Sequence, residues 1–341
     1  MMMNLDELLK ERINITPEME KKAENIYKVT SEFLSKSLED YSPDIFPQGS
    51  FKLKTIIRPV EDKDEFDLDF VCLLDIAKSD INQEELYTLL GDTLNKNYKK
   101  PMLEPKKRCW RLNYENFHVD ILPAIPDPDL INGQTPLLLI PDKDKKEWQS
   151  TNPLGYAEWF NSRASQGQRR SFVENSIQPL PKQDNNLPLQ KIVKIMKYHR
   201  NFIFRNDLDN RPISMIVTTL AAKNYDGEQD LATAFSKICA GIKSEAREIL
   251  KSGVILNPVD PRENFADAWM KHPKRKENFR IWVEKLDDLT NRYSHIIVQN
   301  SKTDLSKLLF EHFGYADKLE TKSPNTIQPH IITNPSKQWY K

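Results

Sequence analysis

The sequence is poor in the features that mark several common classes of nucleotide-binding and membrane proteins. It contains nine glycines in 341 residues, and it has neither a GxGxxG nor a GxxxxGK[ST] run, so a Rossmann or P-loop site is not supported. No stretch of about 18 apolar residues occurs, so no membrane span is expected. The N-terminal MMMNLDELLKER lacks the apolar core of a signal peptide.

Cysteine is scarce and the net charge is zero. Cys72, Cys109 and Cys239 have no paired spacing, which predicts buried free thiols rather than a zinc site or a disulfide framework, as in a reducing cytoplasm. The 50 basic and 50 acidic residues cancel, so there is no global basic field of the kind that drives non-specific nucleic-acid binding. We therefore expect a cytoplasmic protein that requires neither a membrane nor a nucleic acid.

Apolar periodicity predicts a mixed first half and a helical second half. Thr16-Pro17, followed by apolar residues at helical spacing, predicts a long helix over 17–39. The pattern continues with a turn at 46–50, strands at 51–57, 65–74, 107–112 and 116–122, a helix at 82–97 and a Pro-rich loop at 123–150. Further helices are predicted at 153–164, 187–204, 212–225, 229–248, 260–270, 273–292 and 302–313.

This pattern predicts an α+β fold with two lobes. A core of mixed sheet and flanking helices is expected over 1–150, and a helical lobe over 151–320. The segment 321–341 has no apolar periodicity and is expected to be a disordered tail.

Three aspartates carry the clearest chemical signal. Asp67 and Asp69 are two residues apart on one predicted strand, so they project from the same face, about 7 Å apart at the backbone. Asp120 lies at the end of another predicted strand, and His118 shares its face. Carboxylates that meet repel one another unless a cation is present, and Mg²⁺ prefers such oxygen ligands. A solvated strand face is the alternative, and the apolar residues that follow the pair are equally consistent with a position at a sheet edge or a cleft.

Two further groups are candidates for phosphate contacts. Gly49-Ser50 forms a predicted turn that can present backbone N–H groups and a hydroxyl to phosphate oxygens. Lys191, Lys194 and Lys197 recur on one side of the helix predicted at 187–204. A plain turn and a solvated helix face are the respective alternatives.

The order of these motifs resembles the polymerase-β nucleotidyltransferase superfamily. Within it, the run QGSFKLKT at 48–55, Arg58-Pro59 and the run EFDLD at 65–69 resemble the bacterial CD-NTases. These are enzymes of anti-phage CBASS systems, related to cyclic GMP–AMP synthase and oligoadenylate synthase. The run FHVDILPA at 117–124 matches the strand that carries the family's third carboxylate.

The resemblance extends over about residues 17–315. The run NPLGYAEWF at 152–160 is similar to the family's entry into its helical half, and KIMKYHR at 194–200 to its triphosphate-contacting helix. NPVDP at 257–261 resembles a loop of the oligoadenylate synthase-like C-terminal lobe. One departure is Lys54, which stands where the family's GSxxxGT turn has its second glycine.

The resemblance implies a polymerase-β-like core with an oligoadenylate synthase-like helical lobe, and it implies roles for eight residues. Asp67, Asp69 and Asp120 would be the catalytic residues and the ligands of two Mg²⁺ ions, with Mn²⁺ as an acceptable substitute. The residues implied to bind the nucleotide phosphates are Gln48, Gly49, Ser50, Lys197 and Ser214.

The activity that the resemblance implies is the joining of ATP, GTP or pyrimidine triphosphates into a cyclic di- or trinucleotide messenger, with release of pyrophosphate. We expect a monomer whose activity is constitutive or gated by CBASS accessory proteins. One alternative keeps the fold but changes the acceptor to a linear oligoadenylate, an RNA 3′ end or a protein. The other is a non-catalytic nucleotide sensor, which should have lost at least one carboxylate, whereas all three are present.

Overall fold

The computed structural model describes residues 5–61, 66–115, 117–128, 137–144, 146–165, 177–183 and 186–315. These residues form a mixed sheet with flanking helices, followed by a helical lobe that carries one small hairpin. The helices are α1 Leu5–Leu8, which continues as a wider turn over Leu9–Ile13, α2 Pro17–Ser37, α3 Gly49–Lys52, α4 Gln83–Asn97, α5 Pro153–Ser165, α6 Pro188–Ile203, α7 Ser214–Lys223, α8 Leu231–Ser252, α9 Pro273–Gln299 and α10 Lys302–Phe313. The strands are β1 Asp44–Gln48, β2 Phe66–Leu73, β3 Leu103–Pro105, β4 Trp110–Tyr114, β5 Phe117–Pro126, β6 Leu138–Asp142, β7 Glu147–Thr151, β8 Leu256–Asn257 and β9 Asp260–Asn264.

The large sheet places β2 and β5 side by side as its parallel pair. The strand order is β1-β2-β5-β4-β3, with β6 paired to the far end of β5 and β7 paired to β6. Each of these other pairs is antiparallel. In β2, Phe66, Leu68 and Phe70 are buried on one face, so the alternation that predicted this strand is confirmed.

The buried apolar residues form two large clusters and a smaller third one. The first joins one face of the sheet to α2 and α4. The second fills the helical lobe, and it includes Leu5, Leu8, Leu9 and Ile13 from the start of the chain. The N-terminal residues therefore pack against the helical lobe, although they precede the sheet in sequence.

The segment from 46 to 57 differs from its prediction. Residues 46–48, predicted as part of a turn, belong to β1, which accepts Pro47 because it is the terminal strand of the sheet. Residues 51–57, predicted as a strand, form the end of α3 and an irregular stretch. Its alternating apolar residues serve two cores, since Phe51 packs with the sheet and Leu53 with the helical lobe.

Two other predicted segments have a different secondary structure in the protein. The loop predicted at 123–150 contains the end of β5 and the strands β6 and β7, so Asp120 lies inside a strand and not at its end. The helix predicted at 260–270 is the strand β9 followed by one short helical turn at Asp267–Trp269. There Asp260 is buried, accepts hydrogen bonds from Arg262 at 2.9 Å and from the Ser150 hydroxyl at 2.9 Å, and so ties β9 to β7.

The structure confirms the helices predicted at 17–39 and 82–97 and the remaining helices predicted after residue 150, within a few residues at their ends. The exception is α9, which extends seven residues beyond its predicted end to Gln299. Every helix of the described segments is too short or too polar to cross a membrane. The tail predicted at 321–341 lies outside the described residues.

Candidate active site

The parallel pairing of β2 with β5 brings the predicted carboxylates onto one patch of the sheet. Asp69 is the register partner of Asp120, and Asp67 is the partner of His118. Side chains of paired residues project to the same side of a sheet. The three aspartates therefore meet on the face opposite the buried Phe66, Leu68 and Phe70, as the sequence predicted.

The proximity of the three carboxylates disfavours the charged form of Asp69, the central one. Burial, together with the charges of Asp67 and Asp120, raises the pKa of Asp69 to about 8. Burial also acts to raise the pKa of Asp67, but the hydrogen bond and the charge of His118, with the charges of Arg111 and Arg211, outweigh it and hold this pKa below its usual value. Burial is therefore the main cause of the raised pKa of Asp69, and the two neighbouring carboxylates add to it.

Each outer carboxylate contacts a basic side chain from the neighbouring strand. Arg111 on β4 binds Asp120 through two bonds, from Nε to Oδ1 at 2.6 Å and from Nη2 to Oδ2 at 2.7 Å. His118 Nε2 contacts Asp67 Oδ1. Burial alone would lower the pKa of Arg111. Its hydrogen bonds to Asp120 and the charge of Asp120 instead raise this pKa above its ordinary value. Sequence reasoning missed Arg111, which could have been found from the antiparallel register of the predicted β4–β5 hairpin.

The family resemblance implies that these carboxylates hold two Mg²⁺ ions. Among the described residues, no group of three His, Cys, Asp or Glu side chains is already arranged to hold a metal. Asp67 and Asp120 are instead engaged with His118 and Arg111. The chemistry of the set nevertheless fits Mg²⁺, since three carboxylates converge from adjacent strands and a cation would offset the burial and the two neighbouring charges that raise the pKa of Asp69.

The predicted Gly-Ser turn follows β1 and lies directly over the central carboxylate. Gly49 has a φ of +59°, and a Cβ built there would lie 2.8 Å from Oδ2 of Asp69. Only glycine combines this conformation with so close an approach. Lys54, at the family's second glycine position, has a φ of +58°, so the lysine adopts a left-handed conformation that glycine takes without strain.

A cavity of about 640 Å³ separates this patch from the helical lobe. Its lining includes six of the eight residues implied by the sequence: Gly49, Ser50, Asp67, Asp69, Lys197 and Ser214. Gln48 ends β1 beside Asp69 but does not line the cavity. Asp120 does not line it either, and its carboxylate is covered by Arg111, which does.

The wall opposite the carboxylates is cationic. It is formed by α6, the loop that follows it and the start of α7, and it carries the cations Lys197, Arg200 and Arg211 together with one carboxylate, Asp209. The sequence analysis did not single out Arg200 and Arg211, because they are distant along the chain and no local pattern shows that they line the same cavity. The cavity thus has an acidic wall for a cation and a basic wall for an anion.

The three lysines of α6 have different environments. Lys191 reaches Asp6 on the outside, and Lys194 Nζ donates to the amide oxygens of Asn14 and Asn186. Lys197 alone of the three lines the cavity. Its Nζ donates to the carbonyl oxygen of Thr55 at 2.9 Å, and burial, with the charge of Arg200, lowers its pKa to about 7.

Comparison with known proteins places the chain in a family. Residues 1–163 match the Second Messenger Oligonucleotide or Dinucleotide Synthetase domain. A c-di-GMP synthase of Roseivirga ehrenbergii is 31% identical over 314 residues, an alignment that covers 89% of this chain and 82% of that protein. The chain belongs to the CD-NTase family. A cyclic GMP-AMP synthase of Escherichia albertii is 22% identical, over 89% of this chain and 63% of that protein.

Solved CD-NTase structures share the fold. The Bradyrhizobium diazoefficiens CD-NTase CdnG, solved in complex with GTP, superimposes with a TM-score of 0.70 at 21% identity, over 92% of this chain and 96% of that one. The Vibrio cholerae cyclic AMP-GMP synthase DncV, solved with a linear intermediate, gives 0.66 at 16% identity, over 92% and 94%. The predicted α+β class, a mixed sheet with flanking helices and a helical lobe, is thereby confirmed.

Proposed function

We propose that this CD-NTase joins nucleoside triphosphates into a cyclic dinucleotide messenger and releases pyrophosphate. The observation that carries the proposal is a cavity in which Asp67 and Asp69 on one wall face Lys197 and Ser214 on the other. A cavity of about 640 Å³ is within the range of small-molecule sites. The relative that is 31% identical is named a c-di-GMP synthase, so we propose GTP as the first substrate to test.

Different residues of the chain bind the phosphates and accept the proton in the proposed reaction. Lys197, Ser214 and the Gly49-Ser50 turn hold the phosphates of the donor triphosphate and place its α-phosphorus over the carboxylates. The hydroxyl of the acceptor nucleotide gives its proton to a carboxylate, for which we propose Asp120, and its oxygen attacks that phosphorus. The bond to the bridging oxygen breaks, and pyrophosphate leaves with the electron pair.

A second transfer within the linear product closes the ring by the same chemistry. We propose that Asp67, Asp69 and Asp120 hold two Mg²⁺ ions, or Mn²⁺ in their place. When bound, such ions neutralise the phosphates and the attacking and leaving oxygens. Binding them requires Asp120 to share or leave Arg111, and Asp67 to share or leave His118, since both carboxylates are now engaged.

The biological setting follows as part of the proposal. We propose a cytoplasmic monomer that acts in anti-phage CBASS signalling, that requires no nucleic acid and that accessory proteins of that system regulate. The zero net charge of the chain supports independence from nucleic acid. Size-exclusion chromatography with light scattering measures the oligomeric state.

The test is incubation of the protein with α-³²P-labelled GTP, ATP, CTP and UTP, singly and together, with Mg²⁺ and then phosphatase. A phosphatase-resistant product that requires GTP is expected from the wild type, and none from the double variant Asp67→Asn, Asp69→Asn. Asp75→Asn is the matched control, since Asp75 is exposed beyond the end of β2. Absence of a cyclic product with and without added DNA or RNA would contradict the proposal, and labelled RNA or protein would point to another acceptor.

A further inference from the structure

Arg200, on the cavity side of α6, is a buried cation whose contacts are all neutral. Arg200 is 2% exposed to solvent. Nε and Nη2 donate to Oδ1 of Asn201 at 2.9 and 2.6 Å, and Nη1 donates to the carbonyl oxygen of Pro212 at 2.8 Å and to Oγ of Ser214 at 3.2 Å. Within the described residues, no carboxylate lies within ion-pair distance of it.

A buried guanidinium normally has an acidic partner, because removing a charge from water is costly without one. Here the neighbouring charge of Arg211 adds repulsion, and both arginines line the same cavity. Asp67 is the carboxylate whose charge favours Arg200, from across the cavity. The missing counter-charge is therefore expected to arrive with a ligand.

The bond to Ser214 fixes the direction of that ligand contact. A serine hydroxyl has one hydrogen to donate and two lone pairs that accept. Because Ser214 Oγ accepts from Arg200, its hydrogen remains for another acceptor, and no described residue takes it. Ser214 lines the cavity, so a ligand oxygen there would receive a hydrogen bond strengthened by the arginine behind it.

Ser214 is also the first residue of α7, which has ten residues. Ser214 and Met215, the first two residues of that helix, both line the cavity. The N-terminus of a helix carries a partial positive charge and backbone N–H groups without partners in the helix. No side chain caps this end, so it is available to an anion together with the hydroxyl.

We propose that Arg200 is a positioning residue of a phosphate subsite, in which it orients the Ser214 hydroxyl as a donor and supplies positive charge to the terminal phosphates of a triphosphate. The same subsite holds the pyrophosphate product before release. The subsite rests on the proposed function and extends it, because it assigns residues to the terminal phosphates, which leave as pyrophosphate. It requires no turnover, so it can be tested separately.

The first experiment measures binding of inorganic tripolyphosphate to the full chain without metal, by calorimetry in the presence of a chelator. Ser214→Ala and Arg200→Gln are each expected to weaken binding about 10- to 100-fold, the loss of a hydrogen bond to a charged group. The double variant should bind about as weakly as Arg200→Gln alone, because the arginine acts partly through the serine. Lys191→Gln, on the same helix but paired with Asp6 outside the cavity, is the control and should bind like the wild type.

A second experiment separates positioning from a merely structural role. Arg200→Lys keeps the charge but not the planar fork, so it should recover part of the tripolyphosphate affinity that Arg200→Gln loses. In turnover, Ser214→Ala and Arg200→Lys should raise KM for the triphosphate more than they lower kcat. Pyrophosphate should inhibit both variants less than it inhibits the wild type.

Several results would overturn the subsite. One is a folded Arg200→Gln protein that binds tripolyphosphate with wild-type affinity, and another is a double variant whose loss equals the product of the two single losses. If Arg200→Gln does not fold, Ser214→Ala decides, since unchanged affinity there refutes the oriented hydroxyl. A wild type that binds tripolyphosphate but makes no cyclic product would refute the proposed function and leave the subsite standing.

Discussion

Replacement of Lys197 by methionine is expected to stabilise the fold while it removes triphosphate binding. The residue is 5% exposed and its Nζ has one neutral partner, the carbonyl oxygen of Thr55. Burial and the charge of Arg200 lower its pKa from 10.5 to about 7. At about 1.4 kcal/mol per pH unit, this difference corresponds to a penalty of about 5 kcal/mol for the charged form.

Methionine fills a similar volume without charge, but it leaves the Thr55 carbonyl without its donor, at a cost of about 1–3 kcal/mol. The net gain in the free energy of unfolding of Lys197→Met is therefore about 2–4 kcal/mol at a pH below 7. The sign of the pH dependence follows from the lowered pKa. Between about 7 and 10.5 the unfolded chain binds more protons than the folded chain, so wild-type stability rises with pH across this window.

Urea denaturation of the wild type and of Lys197→Met at about pH 6.5 and about pH 9.5 measures both effects. The advantage of the variant should be largest at the lower pH and should shrink at the higher one. Lys191→Met is the matched control, because this partly exposed lysine lies on the same helix as Lys197 but pairs with Asp6 of α1, outside the cavity. A variant that is less stable than the wild type at about pH 6.5, or an advantage that does not change with pH, would refute the reasoning.

The same lysine predicts a proton linkage to ligand binding. A triphosphate supplies the missing negative charge, so its binding should raise the pKa of Lys197 and take up a proton above about pH 7. Calorimetry in two buffers of different ionisation enthalpy measures this uptake. It should disappear in Lys197→Met, together with most of the affinity.

Three further substitutions test the geometry of the carboxylate site. Gly49→Ala should lower turnover more than tenfold and destabilise the fold by about 1 kcal/mol, since the new Cβ meets Asp69 Oδ2 at 2.8 Å with φ at +59°; kinetics and urea denaturation measure the two effects, and an active, stable variant would contradict them. Lys54→Gly should raise the free energy of unfolding by about 0.5–1 kcal/mol, because it relieves a left-handed lysine, and a loss of stability would show that the conformation is not strained. Arg111→Gln should lower turnover about 10- to 100-fold, because Asp120 loses the bidentate partner that orients it, and turnover equal to that of the wild type would exclude this support.

Sequence reasoning succeeded where one local periodicity decided the structure. The alternation at 66–72 gave β2 and its two aspartates, because a strand with one buried face must alternate. Thr16 caps α2 through its side chain, which accepts from the backbone N–H of Met19 at 3.2 Å, and Asn82 caps α4 in a reciprocal capping box. Such signals depend on residues a few positions apart, which a sequence displays directly.

It failed where distant segments decided the local structure. The apolar residues of 51–57 alternate because they divide between two cores, a pattern that mimics a strand. Residues 260–264 form β9 because Asp260 is satisfied by Arg262 and by Ser150 from β7. The Pro-rich run after Asp120 forms strands because β5 continues past residue 122 and pairs with β6.

The sequence by itself determined the family resemblance, the three aspartates, the Gly-Ser turn and the basic helix, since each is written in residues adjacent along the chain. The tertiary structure decided which of these groups share a cavity and what each one contacts there. It left Lys197 but not Lys194 facing the carboxylates, placed Arg111 on Asp120, and joined Arg200 to Ser214. These pairings depend on strand register and on the packing of the loop before α7 against α6, and such long-range geometry has no local signature.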